Sequence, residues 1–226
     1  MSEHGETGAV KPAQSVPPFT PRAPRCARTM TSRTPEHAVD PQFIERWSPR
    51  AYSGQAITPA ELMSLFEAAR WTPSTSNTQP WRFVYTLAGT EGFEAMCQTL
   101  AAGNRVWAHR AAALIAVISA TSTVAAGTTE AKPAPNHAFD TGAAWMSLAL
   151  QAHLKGWCTH AMGGVDKDAL RRVLAVPDAF AVHCVVAVGR QGDKAMLDET
   201  LQTREAPNAR QPLSAMVCEG RFGFSA

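Results

Sequence analysis

Apolar residues do not recur with one period along this chain; the period switches repeatedly, and a capping or breaking residue marks most of the switches. Residues 41–47 (Pro-Gln-Phe-Ile-Glu-Arg-Trp) predict a short helix that delivers Arg46 at its end. Thr58-Pro59-Ala60-Glu61 has the spacing of a capping box with Pro at the first helical position. Leu62, Leu65, Phe66 and Ala69 then follow at helical intervals, until Pro73 excludes the α conformation from its predecessor and ends the helix near Trp71. Trp81–Leu87 predicts a strand, Glu91–Leu100 a helix, and Ala112–Ala120 a buried strand. Residues 121–135 predict a mobile loop. From His137 to Leu154 apolar residues (Phe139, Ala143, Trp145, Met146, Leu148, Leu150) fall on nearly every face, which predicts a helix buried all round and packed on a second subunit. A short strand near Trp157–His160, the Gly163-Gly164 turn, a helix capped by Asp166 and running to Leu174, and a strand over Phe180–Val188 complete the pattern. Beyond Gly189 periodicity fades, and that segment is expected to wrap over a neighbour. The class is α+β, helices sandwiching one sheet.

Composition sets the boundaries. Of 226 residues 45% are hydrophobic, enough for one sizeable core, and one domain over residues 40–226 is expected. Residues 1–39 hold six of the sixteen prolines and few large apolar side chains, so they are expected to be a disordered extension, with Met30 as a second possible start. Pro21–Arg28 lacks the apolar stretch of a signal peptide. The formal charge of +2 comes from this extension; residues 40–226 are neutral, with no basic stripe for nucleic acid or an anionic membrane. Five scattered cysteines (Cys26, Cys97, Cys158, Cys184, Cys218) suggest neither a disulfide framework nor a zinc knuckle, and a reducing, cytoplasmic setting is expected. The longest apolar run, residues 111–120, is about half a membrane span.

Two segments carry candidate chemistry. Arg46-Trp47-Ser48-Pro49-Arg50 holds two guanidinium groups and a hydroxyl on a stiffened loop, donors suited to a phosphate. The loop from Pro73 to Trp81 is bounded by prolines, contains no glycine, and offers hydroxyls with the carboxamides of Asn77 and Gln79, which match a heterocycle edge presenting both donors and acceptors. His137 and His160 are acid/base candidates by residue type, but a histidine in a helix or strand is more often structural. No Gly-x-Gly-x-x-Gly, Walker A or Gly-x-Ser-x-Gly motif occurs, which argues against a separate nicotinamide domain, an NTPase and an α/β-hydrolase.

Arg-x-Ser-x-Arg followed by Pro-Ser-x-x-Asn-x-Gln-Pro-Trp-x-Phe resembles the nitroreductase family of FMN-dependent oxidoreductases. Asn104 with Trp107, His160-Ala161-Met162-Gly163-Gly164-Val165-Asp166 and Pro207-Asn208-Ala209-Arg210 extend the likeness to about residues 40–223. The resemblance implies a nitroreductase-like sandwich of helices around a mixed, mainly antiparallel sheet, in an intertwined homodimer with two FMN sites at the interface. It implies that Arg46, Trp47, Ser48 and Arg50 bind FMN from one subunit, with Arg210 joining Arg46 at the phosphate, and that Pro73, Ser74, Thr75 and Asn77 come from the other. Asn104, Ala161, Met162, Gly163 and Gly164 would also border the flavin, Gly163 and Arg50 nearest its reactive ring. NADH or NADPH would be the transient reductant, and a nitroaromatic, quinone or similar small molecule the acceptor. Two departures stand out: Asn208 and Trp107 occupy positions where some members carry Lys. The negative charges would then rest on Arg46, Arg50 and Arg210, with Arg105 and Arg110 as further candidates. A flavin-dependent oxidase or dehydrogenase, and a non-catalytic flavin-binding dimer, are the alternative readings.

Overall fold

The caps in the sequence set where the helices begin. The computed structural model describes residues 33–124 and 127–224. Asp40 accepts from the backbone of Gln42 and opens α1 (Pro41–Glu45), with Arg46 as C-cap. In α2 (Pro59–Arg70) Thr58 and Glu61 form the reciprocal capping box, and Trp71 is the C-cap. The elements that follow are β1 (Trp81–Leu87), α3 (Glu91–Gln98), α4 (Ala102–Ala108), β2 (Ala113–Ala120), β3 (Ser122–Val124), β4 (Ala131–Pro133), α5 (His137–Leu154), β5 (Cys158–Met162), α6 (Lys167–Val173), β6 (Phe180–Gly189) and α7 (Glu199–Gln202).

Three parts of this order were not anticipated. Helix α4 has Ala101 at its N-cap with no side-chain cap bond, so its start has no polar signal in sequence. Strands β3 and β4 pair as a two-stranded ribbon within the stretch expected to be a mobile loop. Helix α7 lies in the segment that showed little periodicity. Of the extension expected to be disordered, residues 1–32, with Cys26 and Met30, lie outside the described residues. Residues 33–39 lie against the domain: Arg33 donates to the carbonyls of Ile44 and Arg46, and Glu36 accepts from the amide of Leu213.

The main sheet has the order β1-β2-β6-β5, and the mainly antiparallel character expected of it extends to every pairing, so no mixed part is present among the described residues. Strand β2 is covered on both faces, which explains its unbroken apolar run. Leu114, Ala116 and Ile118 join a core with Phe93, Met96, Trp107 and Leu170 from α3, α4 and α6. Ala113, Ile115 and Val117 join Leu62, Leu65, Ala144, Leu148 and Ala152 from α2 and α5. The β2–β6 register shifts between Val117 and Ile118, whose partners are Cys184 and Val182, so His183 is the extra residue of a β-bulge.

The expectation that α5 is buried all round does not hold within one chain. Its inner face is buried through Ala144, Leu148, Ala149 and Ala152. On the other side Phe139 is 81% and Leu154 45% exposed, because a single chain places the sheet and α2 against one face only.

Past Arg50 the chain is fastened to the end of β6. Ser53 N donates to Arg190 O and Gly192 N to Ala51 O, and Tyr52 is fully buried. A Cβ at Gly189 would stand 2.6 Å from the Tyr52 ring, so only glycine lets that ring lie across the strand. This anchor holds the Arg46–Arg50 loop in place.

Candidate functional site

Arg46, Ser48, Arg50 and Arg210 line one polar crevice of about 340 Å³, together with Arg33, His160, Arg204, Ala206 and Asn208. The segment 46–50 leaves the C-cap of α1, and the carbonyl of Pro49 accepts from Nδ1 of His160 on β5 (3.1 Å). A carbonyl can only accept, so Nδ1 carries the proton and Nε2 is the atom left for another partner. The His160 ring also packs on buried Trp107, with centroids 4.7 Å apart. Burial and the charge of Arg50 hold its pKa below the ordinary value, against the hydrogen bonds to Pro49 and Ser48. The opposite wall is the 204–210 segment. Glu205 fastens it, its Oε1 accepting from the amides of Arg50 and Ala51 (2.8 Å each) and its Oε2 lying 3.7 Å from the Arg50 guanidinium.

Five guanidinium groups therefore share a small space beside the Glu205 carboxylate. Burial, followed by repulsion from Arg210, lowers the pKa of Arg46, and the same two causes lower that of Arg33. Nε of Arg46 is buried without a hydrogen-bond partner. Like charges held together, with a donor unsatisfied, form a receptor for a multiply charged anion such as a phosphate monoester. The phosphate group of FMN has this chemistry, and Arg46, Ser48, Arg50 and Arg210 are the residues that would hold it.

Two cations that sequence reasoning did not find complete the set. Arg33 comes from the segment before α1, and its Nε donates to Asn208 O (2.7 Å), so a cation stands at the position where Asn208 lacks one. Arg204 comes from the turn after α7. Arg105 and Arg110, the further candidates, point elsewhere: Arg105 donates to Gln98, and Arg110 to Tyr52 O. His160, whose place in a strand suggests a structural role, lies in the crevice wall.

The second segment forms a different cavity. Thr75, Ser76, Asn77 and Thr78 line a space of about 580 Å³ with Thr123 and Val124 of β3, residues 133–136, His137 and Asp140. Its polar loop is held by Asp140 and Asn136 from outside and by side chains of its own. Asp140, buried on α5, accepts from Thr75 N (3.0 Å), Asn136 donates to Thr75 Oγ1, and Ser74 Oγ accepts from Gln79 N (2.9 Å). The Gln79 carboxamide donates to Asn77 O, so it braces the loop. Ser76, Asn77 and Gln79 all have positive φ (50°, 54° and 47°) without a glycine among them. Such backbone costs on the order of 1–2 kcal/mol per residue and concentrates at ligand-binding loops. The two cavities share no lining residue, so one chain does not bring Arg46 and Asn77 together.

The remaining predicted residues are spread around these walls. Pro73 and Ser74 precede the strained turn. Trp47 is buried to 7% exposure and does not line the crevice. Ala161 and Met162 are on β5, with the Met162 side chain in the core. Gly163 and Gly164 follow β5 at the surface. Gly163 has open space where a Cβ would project, whereas at Gly164 it would meet Asn104 at 3.0 Å. Asn104 donates to Gly164 O (3.0 Å), which ties α4 to this turn.

Beside the second cavity, Ser119 is fully buried and its Oγ lies 2.6 Å from His137 Nδ1 and 2.7 Å from His183 Nε2. Burial, then His137 and Lys167, lowers the His183 pKa from its ordinary 6.5. A depressed native value means the unfolded chain binds the proton first, so this stability is complete above pH 6.5 and is lost as pH falls through the native value. Melting temperature is expected to drop on acidification from about pH 6.5, and His183→Gln to flatten that slope; an unchanged slope would exclude this group as a source.

A helix-covered antiparallel sheet carrying an arginine-lined anion crevice at its β5 edge and a separate strained polar loop defines the class of protein. The Nitroreductase family profile matches residues 44–91 and 87–190, and the chain belongs to that family of oxidoreductases. A crystal structure described as an oxidoreductase containing FMN is similar at 44% identity and TM-score 0.83, over 86% of this chain and 98% of that one. A nitroreductase family protein from Clostridium difficile shares the fold at 19% identity and TM-score 0.63, over 82% and 100% of the two chains. An uncharacterized 15.4 kDa protein of Mycolicibacterium smegmatis from the ask 5′ region is 33% identical over 137 residues, 60% of this chain and 88% of that protein. Among the described residues no helix is long and apolar enough to cross a membrane.

Proposed function

We propose that this chain is an FMN-dependent oxidoreductase that takes reducing equivalents from NADH or NADPH and passes them to a nitroaromatic, quinone or similar small acceptor. The observation that carries this reading is the crevice in which Arg46 Nε is buried without a partner among four other guanidinium groups. Arg46 and Arg210 would hold the phosphate, Ser48 would add a hydroxyl, and Arg50 would set a positive charge toward the flavin ring. When bound, FMN supplies the hydride chemistry, and the protein supplies orientation and electrostatics. The similar oxidoreductase described as containing FMN supports the choice of flavin.

The second half of the site would come from another copy of the chain. Thr75 and Asn77 line a cavity separate from Arg46, and Phe139 (81% exposed) and Val124 (53%) leave apolar surface near it for a partner to cover. The strained backbone at Ser76 and Asn77 would present fixed polar groups to the flavin with little entropy left to lose. A homodimer in the cytoplasm, without nucleic-acid or membrane partners, is the setting that fits. The deciding experiment is a visible absorption spectrum with FMN, followed by anaerobic titration with each nucleotide. Bleaching of the bound flavin by NADH or NADPH is expected. Protein that stays colourless with FMN, or flavin that neither nucleotide reduces, would overturn the assignment.

A further inference from the structure

We infer that Arg33 is a positioning residue for the phosphate subsite, the group that locks Arg210 opposite Arg46; this rests on the FMN reading above. The segment from Pro207 to Gly223 is exposed almost throughout, yet it carries Arg210, so something must hold it against the crevice. Two side chains of the 33–39 arm fasten it to the rest of the described chain. Nε of Arg33 donates to Asn208 O (2.7 Å), two residues before Arg210, and Glu36 accepts from Leu213 N (2.9 Å), three residues after it. The same Arg33 guanidinium turns its NH1 to Ile44 O (2.8 Å) and Arg46 O (3.0 Å), at the C-terminal end of α1.

One planar fork thus joins three pieces of chain: the arm, the end of α1 that presents Arg46, and the tail that presents Arg210. Guanidinium suits this task because its donors sit at fixed angles in one plane, whereas an ammonium is a point charge on a flexible stem. The charge is spent on carbonyl dipoles at a helix C-terminus, where a cation is favoured. Burial first, then repulsion from Arg210 and Arg46, lowers the Arg33 pKa, so these three bonds hold it in a repulsive neighbourhood. Its work is to fix the spacing of the two other cations before an anion arrives, which removes an ordering cost from binding.

The test compares FMN with riboflavin, which lacks the phosphate, on the full chain. Arg33→Ala is expected to weaken FMN binding about tenfold or more, the size of one charge-assisted hydrogen bond lost when Arg210 is no longer held in place, with riboflavin affinity unchanged. Arg33→Lys keeps the charge without the fork and is expected to recover only part of the loss; full recovery would overturn positioning in favour of charge alone. Equal weakening of both flavins, or FMN binding as in the parent, would also overturn the inference. If the parent itself bound no FMN, the functional reading would fail first and this inference with it. Should Arg33→Ala fail to fold, Glu36→Ala removes the other fastening, and a loss of FMN affinity with riboflavin affinity unchanged is expected there too; its absence counts against the role of the arm.

Discussion

Arg46→Ala is expected to lower FMN affinity about a hundredfold while leaving the flavin-free protein as stable as the parent or slightly more so. Hydrogen bonds to charged groups contribute about 1.5–3 kcal/mol each, and a hundredfold corresponds to about 2.7 kcal/mol, so loss of one guanidinium from a phosphate accounts for the drop. The stability side follows from the neighbourhood of the residue. Burial first, and Arg210 second, depress the Arg46 pKa, with Cys158 acting weakly the other way. A base whose folded-state pKa lies below its unfolded value destabilises the fold while it is protonated, as Arg46 is at neutral pH. Removing it lifts that penalty and removes an unsatisfied buried donor. Melting curves with and without FMN, beside a fluorescence titration, separate the two effects. A lower flavin-free melting temperature with unchanged affinity would make Arg46 a structural residue.

Glu205→Ala is expected to cost about 3 kcal/mol of stability, a fall in melting temperature of roughly 6–12 °C for a domain of this size. The Glu205 side chain is only 2% exposed, and its Oε1 is the acceptor for two successive backbone amides, Arg50 and Ala51. Alanine leaves both donors without that acceptor, beside an Arg50 that has lost its counter-charge. Glu205→Gln is the informative companion. Its carbonyl oxygen can still accept both amides, so most of the stability should remain, while the crevice becomes more positive and FMN affinity should hold or rise. Thermal unfolding of the pair decides the matter: equal losses in both variants would show that the charge, and not the two backbone bonds, is what Glu205 contributes.

Local signals were legible in the sequence, and long-range ones were not. Thr58, Glu61 and Pro73 bracket α2 because capping and proline sterics act within a few residues. Asp166 marks α6 for the same reason. Helix α4 escaped because Ala101 gives no cap bond and Gly103 lowers its propensity, and the ribbon of β3 and β4 escaped because three residues cannot establish a period. Arg46, Ser48, Arg50 and Arg210 were found as a set through resemblance, and the crevice unites them. Arg33 and Arg204 carry no pattern; Arg33 reaches Asn208 across 175 positions of sequence, and only the folded chain puts them together. The α5 pattern records every apolar residue without saying what covers each, so Phe139 read as buried when one chain leaves it open.

Strand β6 changes phase part-way along. Toward its C-terminal end Val185 and Ala187, at odd positions, join the α3, α4 and α6 core, whereas Val182 and Phe180, at even positions, join that core before the bulge. Straightening the bulge with every residue retained would swing Phe180 and Val182 toward the α2 and α5 side, whereas loss of His183 would restore strict alternation with both still facing the α3, α4 and α6 core. The facing of Phe180 and Val182 therefore depends on the bulge being kept whenever the strand keeps its length, and the extra residue that forms it is the same one that reaches Ser119.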